Sequence, residues 1–148
     1  MELPNPDKCA EIWARVYSQP DSICSLAAQI AKWTLTCDRN SMAYYYLARL
    51  LPRQGAALRR LAQRCAGQTV ALAALYHVMT GQRITRPAAV CPTETEAAPL
   101  VSTLYRHETE TARQMLTVPR EQEASLHRLA QEQLERAADL LTLTAPYL

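Results

Sequence analysis

Seven residues whose side chains could do chemistry recur at regular intervals inside otherwise apolar patterns: Cys37, Cys65, Gln68, Glu108, Thr111, Gln133 and Arg136. Cys65 and Gln68, Glu108 and Thr111, and Gln133 and Arg136 are each spaced i, i+3, which places both members on one face of a helix. Two thiols and a carboxylate could hold a transition metal, with Cys37, Cys65 and Glu108 as the candidate ligands. The same thiols could form a disulfide if their Cα atoms approach within about 7 Å. Glu108 and Arg136 could form a buried ion pair. The plainer reading of a buried cysteine is a small apolar filler. No Lys or His shares these faces to activate a thiolate. The chain also lacks a Ser/His/Asp set, a glycine-rich phosphate loop and an HExxH motif, so no catalytic residue is assigned.

The elements that must position these residues are helices. The chain has 148 residues, only three Gly and no Phe, and strong helix formers dominate it. An all-α fold follows, with one domain large enough for a real core. Residues 1–20 read as an extension carrying a short helix ended by Pro20, with Ile12, Trp13 and Val16 as its apolar edge. Residues 21–148 read as a four-helix bundle. Helix one, from Asp21 or Ser22 to Leu51, repeats Ile23, Ile30, Cys37, Tyr44 and Leu51, with Ala27, Thr34, Ser41 and Ala48 as the second row. Helix two carries Leu58, Cys65, Leu72 and Met79 beside Leu61, Gln68 and Leu75, and ends at Gly81. Gly67 inside it suggests close helix packing. Residues 81–99 hold Pro87, Pro92 and Pro99 without periodicity and are too long for a tight hairpin. They read as a long crossover or a mobile loop, and a crossover leaves helices two and three parallel. Helix three, about Leu100 to Val118, aligns Val101, Glu108 and Met115 beside Leu104, Thr111 and Val118. Helix four, about Arg120 to Thr144, aligns Leu126, Gln133 and Leu140 beside Leu129, Arg136 and Leu143. Residues 145–148 are expected to fray.

Each seam therefore turns polar at its centre, and a buried polar layer is costly unless its members satisfy one another. Carboxylate-bridged bundles place one Glu on each of two helices and a Glu-x-x-His pair on each of the other two. Here helices two and four carry the i, i+3 pair at those positions. The stretches CDRNSMAYYYLA (37–48), LAQRCAGQT (61–69), YRHETETARQM (105–115) and LAQEQLERA (129–137) resemble the rubrerythrin branch of the ferritin-like superfamily. The resemblance covers about Asp21 to Leu143 and implies a ferritin-like four-helix bundle. Carried onto this chain, it puts Cys37 in the first Glu position and Cys65 and Gln68 in the first Glu-x-x-His. Glu108 keeps the third-helix carboxylate, and Gln133 and Arg136 fill the second Glu-x-x-His. One carboxylate and no imidazole remain, because His77, His107 and His127 all lie beside the seams. A metal pair needs several anionic oxygens, and Arg136 would repel it. The Arg136 guanidinium is expected to replace the metal's charge and pair with Glu108, with Gln68 and Gln133 completing the hydrogen bonds. Tyr44, Tyr45 and Tyr46 correspond to tyrosines near di-iron centres. Without a metal they should pack, with one hydroxyl in the polar layer. Trp13 and Trp33 are expected to dock helices.

The functional expectation is a metal-free, ferritin-like binding or structural protein with no cofactor and no enzymatic activity. The alternative is an oxidoreductase of rubrerythrin type with an altered site that holds iron or another transition metal. No apolar run is long enough to span a membrane, and the N-terminus lacks a basic start followed by an apolar stretch. Five cysteines without paired spacing fit free thiols in a reducing compartment, so a cytoplasmic protein is expected. Between Asp38 and Glu94 eight arginines stand with no acidic residue. They could bind an anion or nucleic acid, but no aromatic residues alternate with them as a stacking platform requires. A solvated face answered by the acidic later helices is favoured over a nucleic-acid partner. A homodimer is compatible with such a bundle.

Overall fold

The computed structural model describes the backbone of residues 6–87 and 91–148 and the side chains of residues 25–87 and 91–148. Among these residues there are four α-helices and no strand: α1 (Pro6–Leu50), α2 (Gly55–Thr80), α3 (Ala97–Leu116) and α4 (Ala124–Thr144). Short 3-10 turns, Pro52–Gln54 and Ala145–Tyr147, follow α1 and α4.

Hydrogen bonds between helices fix their directions. Cys37 meets Cys65 while Ser41 meets Ala62, so α1 and α2 are antiparallel. Trp33 meets Gln114 while Asn40 meets Glu108, so α1 and α3 are antiparallel as well. Helices α2 and α3 consequently run parallel, and the segment 81–96 must travel the length of the bundle. Arg64 meets Asp139 while Gln68 meets Gln133, which makes α2 and α4 antiparallel neighbours.

The heptad rows explain this packing. Ile30, Cys37, Tyr44 and Leu51 are buried, as are Ala27, Thr34, Ser41 and Ala48. Leu58, Leu61, Leu72, Val101, Leu104, Met115, Leu126, Leu129 and Leu140 close the seam from the other three helices. Trp33 docks α1 on α3, its indole N–H donating to Gln114 Oε1 at 2.8 Å. Leu75, Met79 and Leu143, at the ends of their rows, are only half-buried against this core.

Several boundaries differ from the sequence expectation. Pro20 does not end a helix, because α1 is continuous from Pro6 to Leu50. A proline inside a helix forfeits one hydrogen bond and crowds one carbonyl, and a bend can absorb both. The side chains of Ile12, Trp13, Val16 and Ile23 lie outside the described residues. Helix α3 starts at Ala97 and takes Pro99 into its first turn, where the missing N–H has no intrahelical partner to lose. Helix α4 starts at Ala124 rather than near Arg120, because Glu123 caps it by accepting from the Ser125 N–H at 3.3 Å. The tail makes one 3-10 turn, Ala145–Tyr147, with its residues exposed.

Gly67 corrects another expectation. It faces solvent, and a Cβ built on it would meet nothing within 4 Å. It therefore makes no close helix contact. Gly81 is the glycine with a backbone role: at φ 71° it ends α2 in the left-handed region and donates to His77 O at 2.7 Å. Substituting each by alanine should move stability in opposite directions. Gly67→Ala is expected to stabilise by about 1 kcal/mol. Gly81→Ala is expected to destabilise by about 1 kcal/mol, the lower end of the left-handed cost. Urea unfolding of the two variants measures both, and equal signs would contradict the geometry.

Candidate functional site

At the centre of the bundle one carboxylate collects donors from two helices, α1 and α4. Glu108, fully buried on α3, accepts five hydrogen bonds from described residues. Its Oε1 receives Asn40 Nδ2 at 3.1 Å, Gln133 Nε2 at 3.2 Å and Arg136 Nη2 at 3.1 Å. Its Oε2 receives the Tyr44 hydroxyl at 3.0 Å and Arg136 Nε at 2.5 Å. Arg136, only 1% exposed, thus grips both oxygens side-on through two nitrogens. That planar, two-pronged geometry is open to a guanidinium and closed to a lysine ammonium.

The glutamines close the network. Arg136 Nη2 also donates to Gln68 Oε1 at 2.7 Å. Gln68 Nε2 donates to Gln133 Oε1 at 3.3 Å and to the Leu129 carbonyl at 3.4 Å. Gln133 Nε2 lies 4.0 Å from Cys37 Sγ. The Cys65 thiol donates to the Cys37 carbonyl at 3.2 Å. Among the described residues no buried side-chain nitrogen or oxygen lacks a partner, so the polar layer satisfies itself completely. This meets the condition for tolerating such a layer inside an apolar core.

The electrostatics follow from burial and this pairing. Burial alone would disfavour the Arg136 charge, but the adjoining Glu108 carboxylate and its hydrogen bonds outweigh it, and the guanidinium is held above its ordinary value. Burial, and then the neighbouring Glu108, push the Tyr44 phenol well above its usual range, so it serves only as a neutral donor. Contact with Cys37, followed by burial, raises the Cys65 thiol well above its usual range. A thiol held protonated in this way is a poor nucleophile.

The structure brings Cys37, Cys65, Gln68, Glu108, Gln133 and Arg136 into one group. Thr111 is buried one turn beyond Glu108 but is not among the carboxylate's donors. Of the three consecutive tyrosines only Tyr44 enters the layer. Tyr45 is exposed and Tyr46 half-buried. Glu132 and Glu135 face outward, so α4 offers the core no second carboxylate. His77 and His127 bond instead to the Gln82 and Val118 carbonyls. Asn40 is the member that sequence reasoning misses. The available signal is its spacing: Cys37, Asn40 and Tyr44 stand at i, i+3 and i+7 on one face of α1.

The residues present do not fit a metal pair. Among the described residues no three of His, Cys, Asp or Glu converge as a metal-binding group, which leaves Cys37, Cys65 and Glu108 without the arrangement a shared ion needs. A permanent cation already lies against the one carboxylate. The arginine-rich stretch is partly answered within the fold: Arg64 pairs with Asp139 at 3.1 Å, and Arg86 stands 4.0 Å from Asp38. No described helix is long and apolar enough to cross a membrane. No family model, no curated protein and no solved structure matches the chain, so the chemistry of the site rests on these residues and their geometry.

Proposed function

We propose that this chain is a ferritin-like bundle related to rubrerythrin whose di-metal centre has been replaced by an ion pair, and that it serves as a metal-free binding or structural protein. The observation that carries the reading is the side-on Arg136–Glu108 pair at the centre of the bundle. Parallel second and third helices joined by a lengthwise link accompany it, as a crossover bundle requires. The guanidinium delivers one positive charge to the carboxylate that metals would otherwise bridge. Glutamine amides and a tyrosine hydroxyl occupy the rest of the layer with neutral donors and acceptors. The carboxylate's oxygens are taken up by five donors from within the layer, which argues for a closed core.

Elemental analysis of protein purified after expression in iron- and manganese-supplemented medium tests the reading. The expected result is no stoichiometric iron, manganese or zinc. About two metal ions per chain, the content of a carboxylate-bridged bundle, would overturn it in favour of a rubrerythrin-type oxidoreductase.

A further inference from the structure

A second feature lies on the flank of the bundle, outside the closed core. A cavity of about 340 Å³ opens between α1, α3 and the lengthwise link, at the small end of the roughly 300–1,000 Å³ range of ligand sites. Its floor is apolar and rigid: Ala43, Leu100 and Leu104 are buried members of the core. Its rim carries Arg39 from α1, His107 from α3 and Glu94 from the link. The link is fastened over this flank by Glu94, which accepts from the Thr103 hydroxyl at 3.1 Å, and by Arg86, which stands 4.0 Å from Asp38.

The rim charges decide what such a cavity would take. Arg39 is exposed, and among the described residues it forms no ion pair. Glu94 spends one oxygen on Thr103 and pairs with no cation in the same set. Burial, then Arg106 and Arg39, hold the His107 imidazole below its ordinary value, while Glu110 and Glu94 act in the opposite sense. His107 therefore feels both rim charges, and at neutral pH it presents a neutral ring to the cavity they share. A simple carboxylic acid would satisfy Arg39 but face Glu94. A simple amine would satisfy Glu94 but face Arg39. A molecule with both charges and a compact apolar body answers the rim and the floor together. From this juxtaposition we infer that the cavity is a binding site for a small apolar α-amino acid, its carboxylate on Arg39, its ammonium on Glu94 and its side chain on Ala43, Leu100 and Leu104.

The site is independent of the reading of the core, and a metal found among the four helices would leave it intact. The two are nevertheless mechanically joined. Asn40 lines the cavity and donates to Glu108, so the cavity floor is held by the buried network.

The test titrates the full chain with L-leucine, 4-methylpentanoate and 3-methylbutylamine. It follows heat release together with the His107 ring resonances. L-leucine is expected to bind and shift His107. The acid and the amine, each lacking one charge, should bind about tenfold more weakly or worse, the factor for one charge-assisted contact. Arg39→Gln, at an exposed position, should keep the fold and lose a similar factor for L-leucine. Ala43→Leu should fill the floor and exclude it. The inference is overturned if L-leucine leaves the His107 ring unmoved in the millimolar range, if 4-methylpentanoate binds as well as L-leucine, or if Arg39→Gln binds L-leucine as the unaltered chain does.

Discussion

Replacing Arg136 by methionine is expected to destabilise the bundle by about 3–5 kcal/mol, the usual result of stranding one member of a buried ion pair. The substitution deletes three hydrogen bonds, two to Glu108 and one to Gln68. Asn40, Tyr44 and Gln133 still donate to the carboxylate, but neutral donors do not cancel its charge. Water cannot reach it, because Glu108 is fully buried. Adding Glu108→Gln to Arg136→Met removes the stranded charge and keeps an oxygen for the surviving donors. The double variant should therefore recover a large part of the loss, although it carries one more change. For a chain of this size about 2–4 °C of melting temperature corresponds to each kcal/mol, so thermal unfolding resolves the difference. Arg64→Met is the control: its pair with Asp139 is half-exposed, and such surface pairs contribute about 0–1 kcal/mol. If the single and double variants unfold alike, charge pairing is not what holds the layer together.

Periodicity makes most of this layer legible in the chain. The seven-residue rows on α1, α3 and α4 are enough to put Glu108, Gln133 and Arg136 in the core, because a polar residue inside a strict apolar repeat has nowhere else to point. The parallel second and third helices follow only if the long link is read as a crossover, since its length fits a mobile loop as well. The bonds of α1 to α2 and α3 decide between them. Pro20 misleads because proline is a strong local signal, whereas the outcome depends on whether the chain on both sides stays helical. Gly67 misleads for the opposite reason. A glycine in a helix reads as a close contact, but that inference depends on which face the glycine occupies, and Gly67 lies on the solvent side of α2, off both apolar rows. Asn40 is hidden because it belongs to neither seven-residue row of α1. Only the i, i+3 spacing from Cys37, the same spacing that pairs the polar residues of helices two, three and four, brings it into the layer. The flank cavity is not legible at all: it needs Arg39, Glu94 and His107 from three separate segments, and no periodicity relates a link residue to the helices it crosses.

Rebuilding the ligand set in this chain should convert it into a metal protein. The five changes are Cys37→Glu, Cys65→Glu, Gln68→His, Gln133→Glu and Arg136→His, with Glu108 left in place. They restore one Glu on α1 and one on α3, and a Glu-x-x-His pair on α2 and on α4. The geometry supports convergence at these positions. Gln133 Nε2 lies 3.2 Å from Glu108 and 4.0 Å from Cys37 Sγ, Gln68 bonds to Gln133 at 3.3 Å, and Cys65 reaches the Cys37 carbonyl at 3.2 Å. Without metal the variant gathers several carboxylates in a site with no cation, so it should be strongly destabilised and partly unfolded at neutral pH. Adding manganese, iron or zinc should then restore helicity, because binding free energy becomes folding free energy when the site exists only in the folded chain. The expected stoichiometry is about two ions per chain, and chelation should reverse the recovery. The unaltered chain, with its arginine in place, should show no change in melting temperature under the same additions. A rebuilt chain that folds without metal and takes none up would show that these positions do not stand in the register of a carboxylate-bridged bundle. The ancestry proposed from the seams would then fall, while the Arg136–Glu108 network would stand as a polar core of separate origin.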